Sequence, residues 1–210
     1  MMLSQRTDER GPNAAVLAVK RVARLGAGLL MALFVAGAVP AAQSVPVAAA
    51  SVSGLKVQDR SHDNDNPDNQ LYAHYQIINT GSGANPGSVP LSSLTMRYWF
   101  TNETPADPLV FNCDYAQVSC SNITARFIVL ATPVTKANTV LEISFTAGAG
   151  SLASGQSTGE IQTRIHHAAY SNFNTTETYS FIGDPSFVYK DTQTVTLYQN
   201  GALIWGVEPK

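Results

Sequence analysis

From Leu55 onward the apolar residues recur at every second position, and no stretch of ten residues combines helix caps with an apolar stripe. Leu94, Met96, Tyr98 and Phe100 alternate with Thr95, Arg97, Trp99 and Thr101; Leu141, Ile143 and Phe145 alternate with Glu142 and Ser144; Ile161 and Ile165 alternate with Glu160, Gln162 and Arg164. Each reads as a strand with one buried and one solvated face. Val195–Tyr198 and Ala202–Trp205 flank Asn200-Gly201, a dipeptide suited to a type I′ turn because both residues tolerate positive φ. With further candidates at Leu55–Gln58, Tyr72–Ile78 and Arg126–Leu130, the chain is expected to form an all-β, antiparallel β-sandwich of jelly-roll type with about nine strands.

Composition narrows the class. Charged residues make up only 13% and there are 15 Gly and 11 Pro, the profile of a turn-rich exported β protein with a neutral polar surface. Residues 1–50 are basic, and the eight basic and thirteen acidic residues beyond them give a net charge of about −5, which makes nucleic acid a poor partner. Lys20, Arg21 and Arg24 precede an uncharged apolar run from Leu25 to Val39, followed by Pro40-Ala41-Ala42. This order predicts a secretory signal and short spacer over 1–50, with one domain over 53–210. The run is too short for the roughly 20 residues of a bilayer span, so no membrane association is expected after signal removal. Cys113 and Cys120 are the only cysteines, and in an oxidising compartment they are expected to form one small disulfide. A secreted, extracellular monomer is the resulting expectation.

The stretches LKVQ, NQLYAHYQIINTGS, LTMRYWFT, CDYAQVSCSNIT, LEISF, STGEIQTRIH, YSNFNTTETYSF and VTLYQNGALIWGVEP together resemble the family 3 carbohydrate-binding modules attached to bacterial cellulases and scaffold proteins. The resemblance implies a nine-stranded jelly roll, a flat cellulose-binding strip, a bound calcium ion and no catalysis. It assigns the strip to Asp114, Tyr115, Arg164 and Tyr170, with Gln162 and Asn69 as polar anchors beside it. Calcium is assigned to Thr101, Glu103, Asn174, Glu177 and Thr178. The family most often has an Asp-Trp pair where this chain has Ala169-Tyr170, and a Tyr offers less stacking area than a Trp. The residues themselves add one point: Gln162 and Arg164 lie two apart on a strand and leave the same face.

Plainer roles compete at each position. Asp114 and Tyr115 also suit a loop beside a disulfide, and Arg164 suits a surface ion pair with Glu160 or Asp114. Trp205 reads as core, and Trp99 as lying on the other sheet face or under a loop. His166 and His167 are adjacent, so on a strand they point to opposite faces; they read as surface or loop residues and not as a metal pair. The Asp- and Asn-rich segment from His62 to Asn69 lacks the Gly and the terminal Glu of a hand-type calcium loop and reads as a solvated polar loop. Glu142 and Glu160 could be cast as a glycosidase pair, but both fit simple strand alternation. The reading is therefore a non-catalytic binder of crystalline cellulose or a similar flat polysaccharide. The alternative is a structural or adhesive jelly-roll protein without polysaccharide binding.

Overall fold

The alternating stretches are strands, and their burial follows the expected period. A computed structural model describes residues 54–60, 62–83 and 87–210. Its contacts divide the chain into Met1–Val45 and Pro46–Lys210; the signal and spacer reading for 1–50 lies outside the described residues. Twelve strands are present among the described residues: β1 (Leu55–Arg60), β2 (Gln70–Asn79), β3 (Val89–Pro90), β4 (Leu94–Phe100), β5 (Leu109–Ala116), β6 (Ile123–Val134), β7 (Ala137–Phe145), β8 (Ser151–Leu152), β9 (Ile161–His167), β10 (Lys190–Asp191), β11 (Thr196–Gln199) and β12 (Ala202–Trp205). The sequence suggests about nine; β3, β8 and β10 are two residues long, too short for alternation to register, and β5 is an eight-residue strand that alternation also misses.

The strands form two five-stranded antiparallel sheets, ordered β10-β1-β2-β9-β5 and β12-β11-β4-β7-β6, with β3 and β8 paired separately. Inward residues of both sheets share one core: Leu55, Val57, Leu71, Tyr75, Ile77, Ile161 and Ile165 from the first, and Leu94, Met96, Tyr98, Phe100, Leu141, Ile143 and Leu197 from the second. Burying a side chain of this size contributes about 1.5–3 kcal/mol, so this cluster dominates the stability of the sandwich. The Asn200-Gly201 turn joins β11 to β12 with φ of 51° and 83°, the positive values that a type I′ turn demands.

Trp99 does both things allowed for it. It points away from the shared core and is nonetheless buried, in a second cluster with Ala137, Val140 and Tyr179. Its indole nitrogen donates to Thr196 Oγ1 at 2.9 Å. Trp205 is only partly buried but packs against the main core, and its Nε1 donates to the Thr192 carbonyl at 2.7 Å.

A carboxyl side chain intrudes on the core. Asp59 on β1 stands opposite Tyr75 on β2, and the Tyr75 and Tyr98 rings meet with centroids 6.2 Å apart. Asp59 Oδ1 and both phenolic oxygens are buried without a hydrogen-bond partner among the described residues. Burial pushes the Asp59 carboxyl well above the usual carboxylate range, against the backbone N–H groups of Arg60 and His74, which lower it. The folded state thus favours the protonated acid. This contribution is complete below the ordinary carboxyl pKa of about 4 and is lost as the pH rises toward the elevated folded value. Asp59→Asn, which cannot ionise, should flatten the fall in stability above pH 4. Parallel slopes in denaturant titrations of parent and variant between pH 4 and 8 would refute this.

Candidate functional site

The outward face of the first sheet is polar, and its register can be read across the strands. On β9, Ile161, Thr163, Ile165 and His167 turn inward while Gln162, Arg164 and His166 turn outward. Arg164 lies between Tyr72 on β2 and Asn112 on β5. Gln162 lies between His74 on β2 and Tyr115 on β5.

The strand β5 was not evident from the sequence, and it carries the two residues that motif placed first. Its pairing with β9 runs Cys113 opposite Thr163 and then Tyr115 opposite Gln162, so Asp114 is the extra residue of a β-bulge. Without the bulge, Tyr115 would face inward. With it, Asp114 and Tyr115 both leave the outer face, and Tyr115 is 50% exposed. Cys113 forms a disulfide with Cys120, closing the following turn with Cα atoms 5.7 Å apart. Closing so short a loop stabilises by roughly 2 kcal/mol in the chain-entropy treatment. Gly159, just before β9, completes this edge: its φ is 66°, and a Cβ there would collide with the Gln117 side chain.

Arg164 is held from two sides. Its Nε donates to Asp114 Oδ2 at 2.8 Å and Oδ1 at 3.1 Å, and Nη1 donates to Gln70 Oε1 at 2.9 Å. The guanidinium therefore bridges β5, β9 and β2. Hydrogen bonding to Asp114 raises its pKa further above an already high value. An exposed ion pair adds at most about 1 kcal/mol of stability, so its main effect is to fix the orientation of the group. Arg164 meets Asp114 and not Glu160, which pairs instead with Arg60.

Tyr170 stands at the end of β9. It is 49% exposed, and its ring lies flat on the His166 imidazole, with centroids 4.5 Å apart and planes 8° apart. Its φ of 58° is in the left-handed region, which costs a bulky residue about 1–2 kcal/mol. Asp107 holds this turn: its carboxylate accepts from Ala169 N at 3.0 Å and from Ser171 Oγ at 2.7 Å. Desolvation raises the Asp107 pKa, but these bonds outweigh it and hold the carboxyl below its usual range.

The histidines correct one expectation. They do point to opposite faces, but both are buried: His166 beneath Tyr170, and His167 stacked on Phe173 at 4.3 Å. His166 Nε2 faces the Asn112 carboxamide at 3.1 Å, and His167 Nδ1 donates to the Ser171 carbonyl at 2.9 Å. They support the turn that presents Tyr170, which neighbouring residues on one strand could not reveal. The loop 62–69 is a second correction. It is pinned rather than merely solvated, because Asp68 and Phe173 exchange backbone hydrogen bonds and Asn66 Oδ1 accepts from Thr175 N at 3.0 Å. Asn69 lies at the end of this loop, next to Gln70.

Gln70, Asn112 and Asp107 escaped the sequence reading. Gln70 and Asn112 had a usable signal in their outward alternation with Leu71 and Phe111. Asp107 had none, since its partners lie more than sixty residues away.

Of the oxygen donors assigned to calcium, Glu103 and Asn174 meet through Asn174 N and Glu103 Oε1 at 3.3 Å. Asn174 Oδ1 caps the turn at Thr175–Glu177 by accepting from Thr176 N at 3.2 Å. Thr178 Oγ1 is buried without a hydrogen-bond partner among the described residues. Thr101 directly follows β4, two residues before Glu103. Lys136 Nζ donates to the Thr176 carbonyl at 2.6 Å, so the turn already carries one positive charge. The set is all oxygen, includes two carboxylates and contains an orphaned buried hydroxyl, which fits a hard cation such as calcium.

Glu142 and Glu160 do not form a pair. Glu142 lies on the outer face of the second sheet between Arg97 Nε at 2.9 Å and Arg126 Nη2 at 2.5 Å, whereas Glu160 precedes β9 in the first.

The family described as a cellulose binding domain matches residues 56–206. The chain belongs to this family. Endoglucanase A of Paenibacillus lautus is 42% identical over 158 residues, which cover 75% of this chain and 21% of that protein. A second P. lautus protein, the uncharacterized protein in the celA 5′ region, is 38% identical over 73% of this chain and 100% of its own length. The chain spans about a tenth to a fifth of the first three curated relatives it matches. Among solved structures, the family 3b module of the scaffoldin subunit ScaA from Acetivibrio cellulolyticus superposes with a TM-score of 0.67 at 31% identity, covering 76% of this chain and 99% of that one. The family IIIA cellulose-binding domain from Clostridium cellulolyticum gives 0.66 at 28%, with 76% and 99% covered.

Proposed function

We infer that this module binds cellulose without cleaving it, through the outer face of the first sheet. The observation that carries the reading is the arrangement of Tyr115, the Asp114–Arg164 ion pair and Tyr170 on one face, in a chain of this family. A crystalline glucan presents flat pyranose faces edged with hydroxyls. A ring laid parallel to that surface removes apolar C–H groups from water, while Asp114, Arg164, Gln162 and Asn69 exchange hydrogen bonds with the hydroxyl rims. Because Arg164 is already oriented and Tyr170 already rests on His166, little side-chain entropy remains to be lost on binding.

Covering one face of a ring is worth about half the 1.5–3 kcal/mol of full burial. Tyr170→Ala and Tyr115→Ala should each weaken binding to microcrystalline cellulose by roughly tenfold, about 1.4 kcal/mol. Arg164→Ala should weaken it further without loss of fold, since the side chain lies outside the core. Depletion isotherms measure this, and three folded variants that bind as the parent does would place the contact elsewhere.

Calcium is part of the same proposal. Held by Thr101, Glu103, Asn174, Glu177 and Thr178, a dication would tie the segment after β4 to the turn at Thr175–Glu177. A ligand bound only to the folded state raises its stability, so excess chelator should lower the melting temperature and added calcium should restore it. A purified protein that contains no metal and melts identically in chelator and calcium would exclude this.

Export completes the proposal, on the evidence of the basic, apolar and small-residue order of residues 20–50. Among the described residues, no helix is long and apolar enough to cross a membrane. Mass spectrometry of extracellular protein should find an N-terminus between about Ala42 and Ser51; retention of Met1 there would contradict the assignment.

A further inference from the structure

A second ring stack stands beside Arg164, away from the line that joins Tyr115 to Tyr170. Tyr72 on β2 is the direct cross-strand neighbour of Arg164 and shares its outward face. The exposed ring of His62 lies on Tyr72, with centroids 4.3 Å and planes 28° apart. The Tyr72 ring also meets His74 edge-on at 6.5 Å, so the stack is backed by the sheet. The loop carrying His62 is anchored farther along by the Asp68–Phe173 backbone pair and by the bond from Thr175 Oγ1 to the Asp65 carbonyl at 2.9 Å. This construction mirrors the one at Tyr170, where an exposed ring also rests on a more buried one.

Register fixes where this stack lies. Tyr115 is on β5 level with Gln162, Tyr170 covers His166 on β9, and Tyr72 is on β2 level with Arg164. Adjacent strands are about 4.8 Å apart, and two residues along a strand span about 6.7 Å. The three ring sites therefore form a triangle around Arg164 and not a line. One extended chain running from Tyr115 to Tyr170 would leave His62 uncovered; a flat surface of parallel chains would cover all three.

We propose that the His62–Tyr72 stack is a third contact of the binding face, taken by a glucan chain lying beside the one on Tyr115 and Tyr170. It rests on the cellulose-binding reading and adds selectivity: the stack favours ordered, multi-chain faces over isolated or disordered chains. His62 is the contacting ring and Tyr72 its support.

The test compares binding isotherms on microcrystalline cellulose and on acid-swollen amorphous cellulose for the parent, His62→Ala, Tyr72→Ala, Tyr72→Phe and Tyr170→Ala, with melting curves as the control for folding. His62→Ala and Tyr72→Ala should lose about three- to tenfold in affinity on the crystalline form and less than twofold on the amorphous form. Tyr72→Phe, which keeps the ring, should match the parent. Tyr170→Ala should lose affinity on both. An equal loss on both substrates for a folded His62→Ala, or no loss on either, overturns the third contact while leaving the Tyr115–Tyr170 strip intact. Failure of the strip itself would appear separately, as unchanged binding by Tyr170→Ala.

Discussion

Alternate burial along β9 is the constraint on which the rest of this molecule depends. Ile161, Thr163, Ile165 and His167 are driven inward, and Thr163 Oγ1 is satisfied by the Ala73 carbonyl at 2.9 Å. Because the period of a strand is two, this leaves Gln162, Arg164 and His166 no choice but the opposite face. The apolar core and the polar face are thus one decision. A slip of β9 by one residue would bury the guanidinium and expose the isoleucines, at a cost far larger than any gain available on the surface.

Electrostatics on this face work by orientation more than by strength. The Asp114–Arg164 pair is exposed, and water screens most of its attraction. What it supplies is a planar group held at both ends, from a carboxylate on the bulged strand and from Gln70 on the far strand. Tyr170 is held comparably: the strain of its left-handed backbone is offset by the His166 stack beneath it and the Asp107 clamp behind its turn. Tyr170 gives up a little local stability, the ion pair adds little, and both leave a surface whose side chains are already in place.

The parts legible in sequence were those governed by neighbours along one strand. β1, β2, β4, β7 and β9 announced themselves by alternation, and the Asn200-Gly201 turn by its chemistry. The outward sharing of Gln162 and Arg164 followed from spacing alone. β5 was hidden, because Leu109, Val110 and Phe111 are consecutive apolar residues and the bulge at Asp114 interrupts the period just where the candidate residues begin. The anchoring of the loop 62–69 was equally hidden, since its partners at 173–175 are distant in the chain and an Asp- and Asn-rich stretch looks the same pinned or solvated. Burial of His166 and His167 depends on Tyr170 and Phe173 folding back across a turn, an event with no periodic signature. Positions of site residues came from motif resemblance; the framework holding them came only from the pairing of strands.

The bulge at Asp114 has a meaning beyond the side chains it turns outward. β5 is the last strand of its sheet, and an open edge of unpaired backbone groups invites a neighbouring molecule to add its own strand. The extra residue breaks the even ladder such an addition would require, and the Cys113–Cys120 bridge folds the chain sharply away immediately afterwards. A protein gathered at high density on an insoluble surface meets its own copies constantly. The same irregularity that turns Tyr115 outward therefore makes this edge a poor template for the strand of a neighbouring copy.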